Sequence, residues 1–151
     1  MEWAADNYPL PIPWKAVDMS RKLVRDAMHR GVIACWPDES VLDVARRLRE
    51  YSISAIFVLD ESGRAEGVIS QTDLARAYVQ GNWQHRIAVE IMTPEVVTIT
   101  GDIPLDVATQ IMLDRQIHRL LIVQGGRTPN RPVGVLSMSD VVREMASGLE
   151  G

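Results

Sequence analysis

Two stretches of the chain set hydroxyls and a carboxylate at fixed spacing behind a glycine. One is Gly67-Val68-Ile69-Ser70-Gln71-Thr72-Asp73, the other Gly134-Val135-Leu136-Ser137-Met138-Ser139-Asp140. Each reads glycine, two β-prone apolar residues, serine, a variable residue, serine or threonine, and aspartate. An apolar pattern of helical period follows each. A strand that ends at such a serine and turns into a helix brings hydroxyls and a carboxylate to a helix N-terminus. Backbone N–H groups are unpaired there and the helix dipole favours anions. A carboxylate can also accept both hydrogen bonds of a vicinal diol. The chemistry on offer is recognition of a phosphorylated or hydroxylated ligand. The plainer alternative is that Thr72 and Ser139 are N-caps and nothing more.

The elements that must position these residues come from a duplication. Residues 28 to 59 match residues 92 to 123 without a gap. Met28 falls on Met92, Val32 on Val96, Asp38 on Asp102 and Ile53 on Ile117. Beyond that the second copy has a longer loop, and the signature then resumes with Gly67 on Gly134, Ser70 on Ser137 and Asp73 on Asp140. A period of this size is the mark of a repeated supersecondary unit.

Within the first copy, Val32 to Cys35 is a short strand. Pro37-Asp38-Glu39-Ser40 opens a helix whose apolar face is Val41, Val44, Ala45 and Leu48. Arg46, Arg47 and Arg49 lie off that face and are expected to be solvated. Ser54 to Leu59 is apolar almost throughout and reads as a buried strand. A turn at Asp60 to Gly63 leads to the strand that ends in the signature, and a helix runs from Asp73 to about Gln80. The second copy repeats the order: a strand at Val96 to Ile99, a helix opened by Asp102-Ile103-Pro104, a buried strand from Leu120 to Val123, a strand from Val133 to Leu136, and a helix from Asp140 to about Ala146. Each unit reads β-α-β-β-α, so the fold class is α/β (α+β). The divisions are an extended arm at 1–22, a first unit at 23–81, a linker at 82–88 and a second unit at 89–148. In the arm, Pro9, Pro11 and Pro13 forbid a helix. Its aromatics Trp3, Tyr8 and Trp14 are expected to dock on the protein's own surface or on a second subunit.

Composition narrows the function classes. The 151 residues are 46% hydrophobic and 24% charged, which suits an ordinary globular domain. A net charge of -4 gives no footing for non-specific nucleic-acid binding. The lone Cys35 excludes an internal disulfide and fits a reducing, cytoplasmic compartment. The N-terminus is acidic and proline-rich, unlike a signal peptide, and no apolar run is long enough for a membrane span.

Two such units, each ending in Gly-Val-apolar-Ser-x-Ser/Thr-Asp, resemble a tandem pair of CBS domains, a Bateman module. Met92-Thr93-Pro94 before Val96-Val97-Thr98, and Ile117-His118-Arg119-Leu120-Leu121-Ile122-Val123, strengthen the likeness. The resemblance covers residues 23 to about 147. It implies two units packed sheet to sheet about a pseudo-two-fold axis, with two clefts that hold adenine nucleotides (AMP, ADP or ATP) or related adenosyl ligands. It assigns Asp73 and Asp140 to the ribose hydroxyls. It assigns Ser70 and Thr72, or Ser137 and Ser139, to ribose or phosphate, with Ile69 and Leu136 beside them. The base is expected against Ile33 and Ala34 or against Val97 and Thr98. It should also meet Ile53, Ser54 and Ala55, or Ile117, His118 and Arg119. Each cleft should draw its base contacts from one unit and its aspartate from the other, so that Asp140 works with Ile33 and Ile53, and Asp73 with Thr98 and Ile117. His118 and Arg119 fall where the family often contacts phosphate, while the first unit has Ser54 and Ala55 there; the clefts are therefore expected to be unequal, with Arg119 serving Asp140.

No acid, base and nucleophile are grouped for catalysis and no ligand set for a metal. The expected protein is a regulatory nucleotide-sensing module acting in trans on an effector protein, a homodimer, and not an enzyme. The competing expectation is a ligand-free oligomerisation scaffold.

Overall fold

The structure, a computed structural model, describes residues 21–126 and 131–148. The expected N-terminal arm thus lies almost wholly outside the described residues. The elements are α1 (Val24–Ala27), β1 (His29–Arg30), β2 (Ala34–Cys35), α2 (Val41–Tyr51), β3 (Ala55–Leu59), β4 (Ala65–Ser70) and α3 (Gln71–Gln80). After a single 3-10 turn at Trp83–His85 come α4 (Ala88–Ile91), β5 (Thr98–Thr100), α5 (Leu105–Arg115), β6 (Arg119–Val123), β7 (Pro132–Ser137) and α6 (Met138–Gly148).

Both units are built the same way. A short strand crosses through a helix to a parallel partner, β2 to β3 and β5 to β6, and that partner pairs antiparallel with the signature strand, β3 with β4 and β6 with β7. The helices form where the apolar spacing places them. On α2, Val41, Val44 and Leu48 are buried, and Ser40 caps the helix by accepting from the Asp43 N–H at 3.1 Å. On α5 the equivalent Leu105, Ala108 and Met112 are buried. These two helices end alike, in left-handed residues that are not glycine: Ser52 (φ 54°) and Gln116 (φ 56°).

The duplication is not a simple division of the chain. The segment before each unit's first strand packs on the other unit. Val24 and Ala27 of α1 join the core of Leu105, Met112, Leu120 and Leu136, and β1 extends the second sheet to the order β1-β7-β6-β5. Ala88 of α4, with Ile91 and Met92, packs into the core of Val44, Leu48, Ile56 and Ile69. Backbone bonds repeat the exchange: Leu105 N–H donates to Lys22 O at 2.9 Å and Val41 N–H to Arg86 O at 2.9 Å. The glycine of each signature is explained by this crossing. A Cβ on Gly134 would stand 2.5 Å from the His29 carbonyl oxygen, and one on Gly67 would stand 2.7 Å from that of Thr93.

The sheets meet face to face through a third cluster. Phe57 and Leu121, equivalent in the repeat, are buried there with Val123, and the equivalent pairs Val32 and Val96, and Val68 and Val135, pack around them. Pseudo-symmetry is thus visible in which residues meet.

Helices α3 and α6 start earlier than their apolar pattern predicts. Strand β4 runs into α3 without a turn, so Ser70 is both last strand residue and N-cap, and Thr72 sits inside the first turn. Capping by Thr72 is thereby excluded. Arg47 is also not a solvated surface residue. Its guanidinium donates to Glu39 at 2.6 Å and to the Ala34 carbonyl at 2.9 Å, tying α2 to β2.

Candidate functional site

Each signature aspartate is locked by its own strand–helix junction. The Asp73 carboxylate accepts from Ser70 N–H at 2.9 Å and from Ser70 Oγ at 3.1 Å, while Ser70 Oγ accepts from Asp73 N–H at 3.2 Å. Asp140 repeats this with Ser137, at 2.8, 3.1 and 3.3 Å. This is the reciprocal capping box. It ties one carboxylate oxygen, Oδ2, to the strand–helix junction and leaves Oδ1 to other partners.

That second oxygen, Oδ1, has an arginine partner in both units. Arg76 Nη1 donates to Asp73 Oδ1 at 3.2 Å, and Arg143 Nη1 to Asp140 Oδ1 at 2.8 Å. These arginines are repeat equivalents, so Asp-x-x-Arg belongs to the signature. The copies differ in the next contact. Thr93 Oγ1 donates to Asp73 Oδ1 at 3.2 Å, whereas His29 Nε2 lies 3.2 Å from Asp140 Oδ1. The Asp140 side chain is 0% exposed and that of Asp73 7%.

Around each aspartate is a cleft. The Asp140 cleft, of about 610 Å³, is lined from the second unit by Val135, Ser137, Ser139 and Arg143 and from the first by Ile33, Ile53, Ser54 and Ala55. The Asp73 cleft, of about 420 Å³, is lined by Ser70, Thr72 and Arg76 together with Val97, Ile117 and His118 of the second unit. In both, polar groups at a helix start face apolar strand-edge residues from the opposite unit. Ser52 borders the first cleft and Gln116 the second, each in its left-handed conformation. Such backbone is uncommon outside glycine and tends to gather at binding sites.

Arg119 is where the two clefts adjoin, and it lines both. Its Nη2 donates to Ser54 Oγ at 3.3 Å, and among the described residues no carboxylate lies within ion-pair distance of it. Burial pushes its ionisation below the usual arginine value and the charge of Asp73 pulls it back up. The guanidinium remains a cation at neutral pH. Expected to serve the Asp140 cleft, Arg119 also lines the Asp73 cleft.

Four expected site residues fall outside both linings. Ile69 and Leu136 are fully buried beneath the helices, because alternation along β4 and β7 turns the neighbours of a cleft-facing residue the other way. Thr98 alternates with Val97 in the same manner and borders a separate hollow beside Arg64 and Val123. Ala34 spends its carbonyl on Arg47. The sequence reading missed His29, Arg76, Arg143 and Thr93. The Asp-x-x-Arg spacing repeated in both copies was the signal for two of them; His29 and Thr93 come from the exchanged segments and carry no local signal.

Among the described residues no helix is long and apolar enough to cross a membrane. The comparisons with known proteins agree with this architecture. The family model for the CBS domain matches twice, over residues 24–80 and 87–147. An uncharacterised protein of Methanopyrus kandleri is 30% identical over 122 residues, covering 80% of this chain and 61% of that protein. The CBS domain-containing protein YhcV of Bacillus subtilis is 29% identical over 85% of this chain and 89% of its own length. The L-aspartate semialdehyde sulfurtransferase of Methanocaldococcus jannaschii is 28% identical, but the match spans only 25% of that enzyme. Among solved structures, the CBS domain pair of protein MJ0100, in complex with methylthioadenosine and S-adenosyl-L-methionine, superposes with a TM-score of 0.76 at 27% identity, covering 85% of this chain and 98% of that one. The chain belongs to the CBS domain family and carries the domain twice.

Proposed function

We propose that the protein is a regulatory module that binds an adenosine-containing ligand in its clefts and passes the occupancy to an effector protein in trans. The ligand is an adenine nucleotide (AMP, ADP or ATP) or an adenosyl derivative. The observation that carries this reading is the build of the clefts: each sets a helix start with hydroxyls and a carboxylate across from apolar strand edges of the other unit. A flat base fits the apolar side, and ribose and phosphate fit the polar side. The methylthioadenosine and S-adenosyl-L-methionine held by the MJ0100 pair support the ligand class. Since the walls of a cleft belong to different units, a ligand that prefers one spacing of the units shifts their equilibrium. The work of the module is binding rather than catalysis, and its expected compartment is the cytoplasm.

The module acts as a homodimer in this reading. Tyr78 (71% exposed), Val79 (83%) and Met145 (71%) stand exposed on α3 and α6 among the described residues. Light scattering at micromolar concentration is expected to give twice the chain mass; a monomer mass refutes the dimer.

One observation favours the second reading, an oligomerisation scaffold with empty clefts. The Asp140 carboxylate already accepts four protein contacts and has no exposed surface. A ribose diol must displace Arg143 and His29 from Oδ1, and both are well exposed, so that exchange is cheap. A thermal-shift screen with AMP, ADP, ATP, NAD and S-adenosylmethionine separates the two readings. A ligand at 100 times its dissociation constant stabilises by about 2.7 kcal/mol. No shift with any of them leaves the scaffold.

A further inference from the structure

The clefts are related by the repeat, yet they carry different charge. Around Asp140 stand three arginines, Arg30, Arg119 and Arg143, against one carboxylate. The Asp73 cleft is lined by two, Arg76 and Arg119, against two carboxylates, because Glu95 occupies the position that is Gly31 in the other copy; Arg115 meets Glu95 at 3.7 Å from outside the lining, an exposed pair that solvent weakens. Arg119 appears in both sets. Its repeat equivalent is Ala55, so two clefts share a single guanidinium. Arg119 is half-buried, and among the described residues its guanidinium hydrogen-bonds only to the Ser54 hydroxyl. A desolvated cation without a carboxylate partner favours an incoming anion. Across the strand pair it stands opposite Ser137, the serine that caps α6 beside Asp140.

We infer that Arg119 sorts the ligands of the two clefts by charge: it commits to an anionic, phosphate-bearing adenosine compound in the Asp140 cleft, and the Asp73 cleft, left with one arginine against two carboxylates, takes a neutral or cationic adenosine compound. The inference rests on the proposed binding of adenosine-containing ligands. It adds that the two sites read different chemical classes and are coupled. An anion in the Asp140 cleft removes from the Asp73 cleft the charge that would let it hold a second anion. By linkage an anion in the Asp73 cleft weakens the other site by the same factor.

The test is a site-resolved titration of the full chain by amide NMR. The backbone signals of Ser139 and Thr72 report the two clefts separately. The probes are AMP as anion, adenosine as neutral ligand and S-adenosylmethionine as sulfonium cation. AMP is expected to saturate the Ser139 signal at a concentration about 10- to 100-fold below that for Thr72, the worth of one charge-assisted hydrogen bond. S-adenosylmethionine is expected to saturate Thr72 first. Arg119→Ala should cut AMP affinity at Ser139 about 10- to 100-fold while leaving adenosine affinity unchanged. Arg119→Met keeps the aliphatic stem and must behave likewise, which separates loss of charge from loss of packing. Glu95→Gln should strengthen AMP at Thr72. AMP filling Thr72 first overturns the inference, as does an equal loss of AMP and adenosine affinity in both Arg119 variants. If no probe moves either signal, the proposed binding function itself fails.

Discussion

Replacing Asp140 by alanine probes the junction on which the site depends. The carboxylate is fully buried and accepts from Ser137 N–H at 2.8 Å and Ser137 Oγ at 3.1 Å. Truncation leaves that buried amide without a partner, at about 1–3 kcal/mol. That bond is Asp140's half of the capping box of α6, so the capping loss is already contained in this figure. Arg143 and His29 lose a partner too, but both are well exposed and that loss adds little. The expected total is about 1–3 kcal/mol. In a chain of this size that lowers Tm by roughly 3–12 °C. Urea denaturation followed by circular dichroism measures it directly. Asp140→Asn keeps an acceptor for the Ser137 amide but loses the charge, so it should lie between wild type and alanine. A loss below about 0.5 kcal/mol for Asp140→Ala would be that of an ordinary surface change. It would refute the claim that the carboxylate builds the junction.

Other parts of the molecule give independent tests. The Cys35 thiol is pushed up to about 12 by burial and by the charge of Glu39, so iodoacetamide at pH 8 should leave the native protein unlabelled and label it readily in urea; rapid native labelling refutes its burial. Arg47→Ala frees both Glu39 and the Ala34 carbonyl and should cost about 1–2 kcal/mol at pH 7. The hydrogen bond from Arg47 lowers the Glu39 carboxyl from its ordinary value. The stability it contributes is therefore complete above the unfolded value near 4.3 and is lost as pH falls through the depressed folded value. The gap between wild type and Arg47→Ala should narrow in acid, and a gap independent of pH contradicts the pairing. Gly134→Ala forces a Cβ against the His29 carbonyl and should cost about 1–3 kcal/mol by denaturation, whereas no loss would mean that β1 is not held against β7.

The duplication carried most of what the sequence could tell. Val41, Val44 and Leu48 marked the buried face of α2, and the same face recurs as Leu105, Ala108 and Met112. The resemblance paired Asp140 with Ile33 and Ile53, and Asp73 with Thr98 and Ile117; Ile33, Ile53 and Ile117 line the corresponding clefts, and Thr98 does not. Side-chain direction within the strands was harder. A continuously apolar strand has no alternation to read, so Leu136 was expected beside the signature hydroxyls, whereas β7 buries it and lines the cleft with Val135 instead. Arg47 looked like its solvated neighbours because its partner Glu39 lies in the loop before the helix. The exchange of α1 and α4 was invisible for a related reason. Four-residue helices give no periodicity, and nothing local tells which core Val24 or Ala88 will join.

Calorimetric titration of the intact protein with AMP and with S-adenosylmethionine tests the central claim most directly, namely that the two clefts between the CBS units are adenosine-ligand sites. The account predicts saturable binding of no more than two ligands per chain. It also predicts that Ile53→Trp, which fills the apolar wall opposite Asp140, removes the AMP site while the urea midpoint stays close to wild type. Absence of binding heat for both ligands at millimolar concentration, or AMP binding untouched by Ile53→Trp, would contradict it.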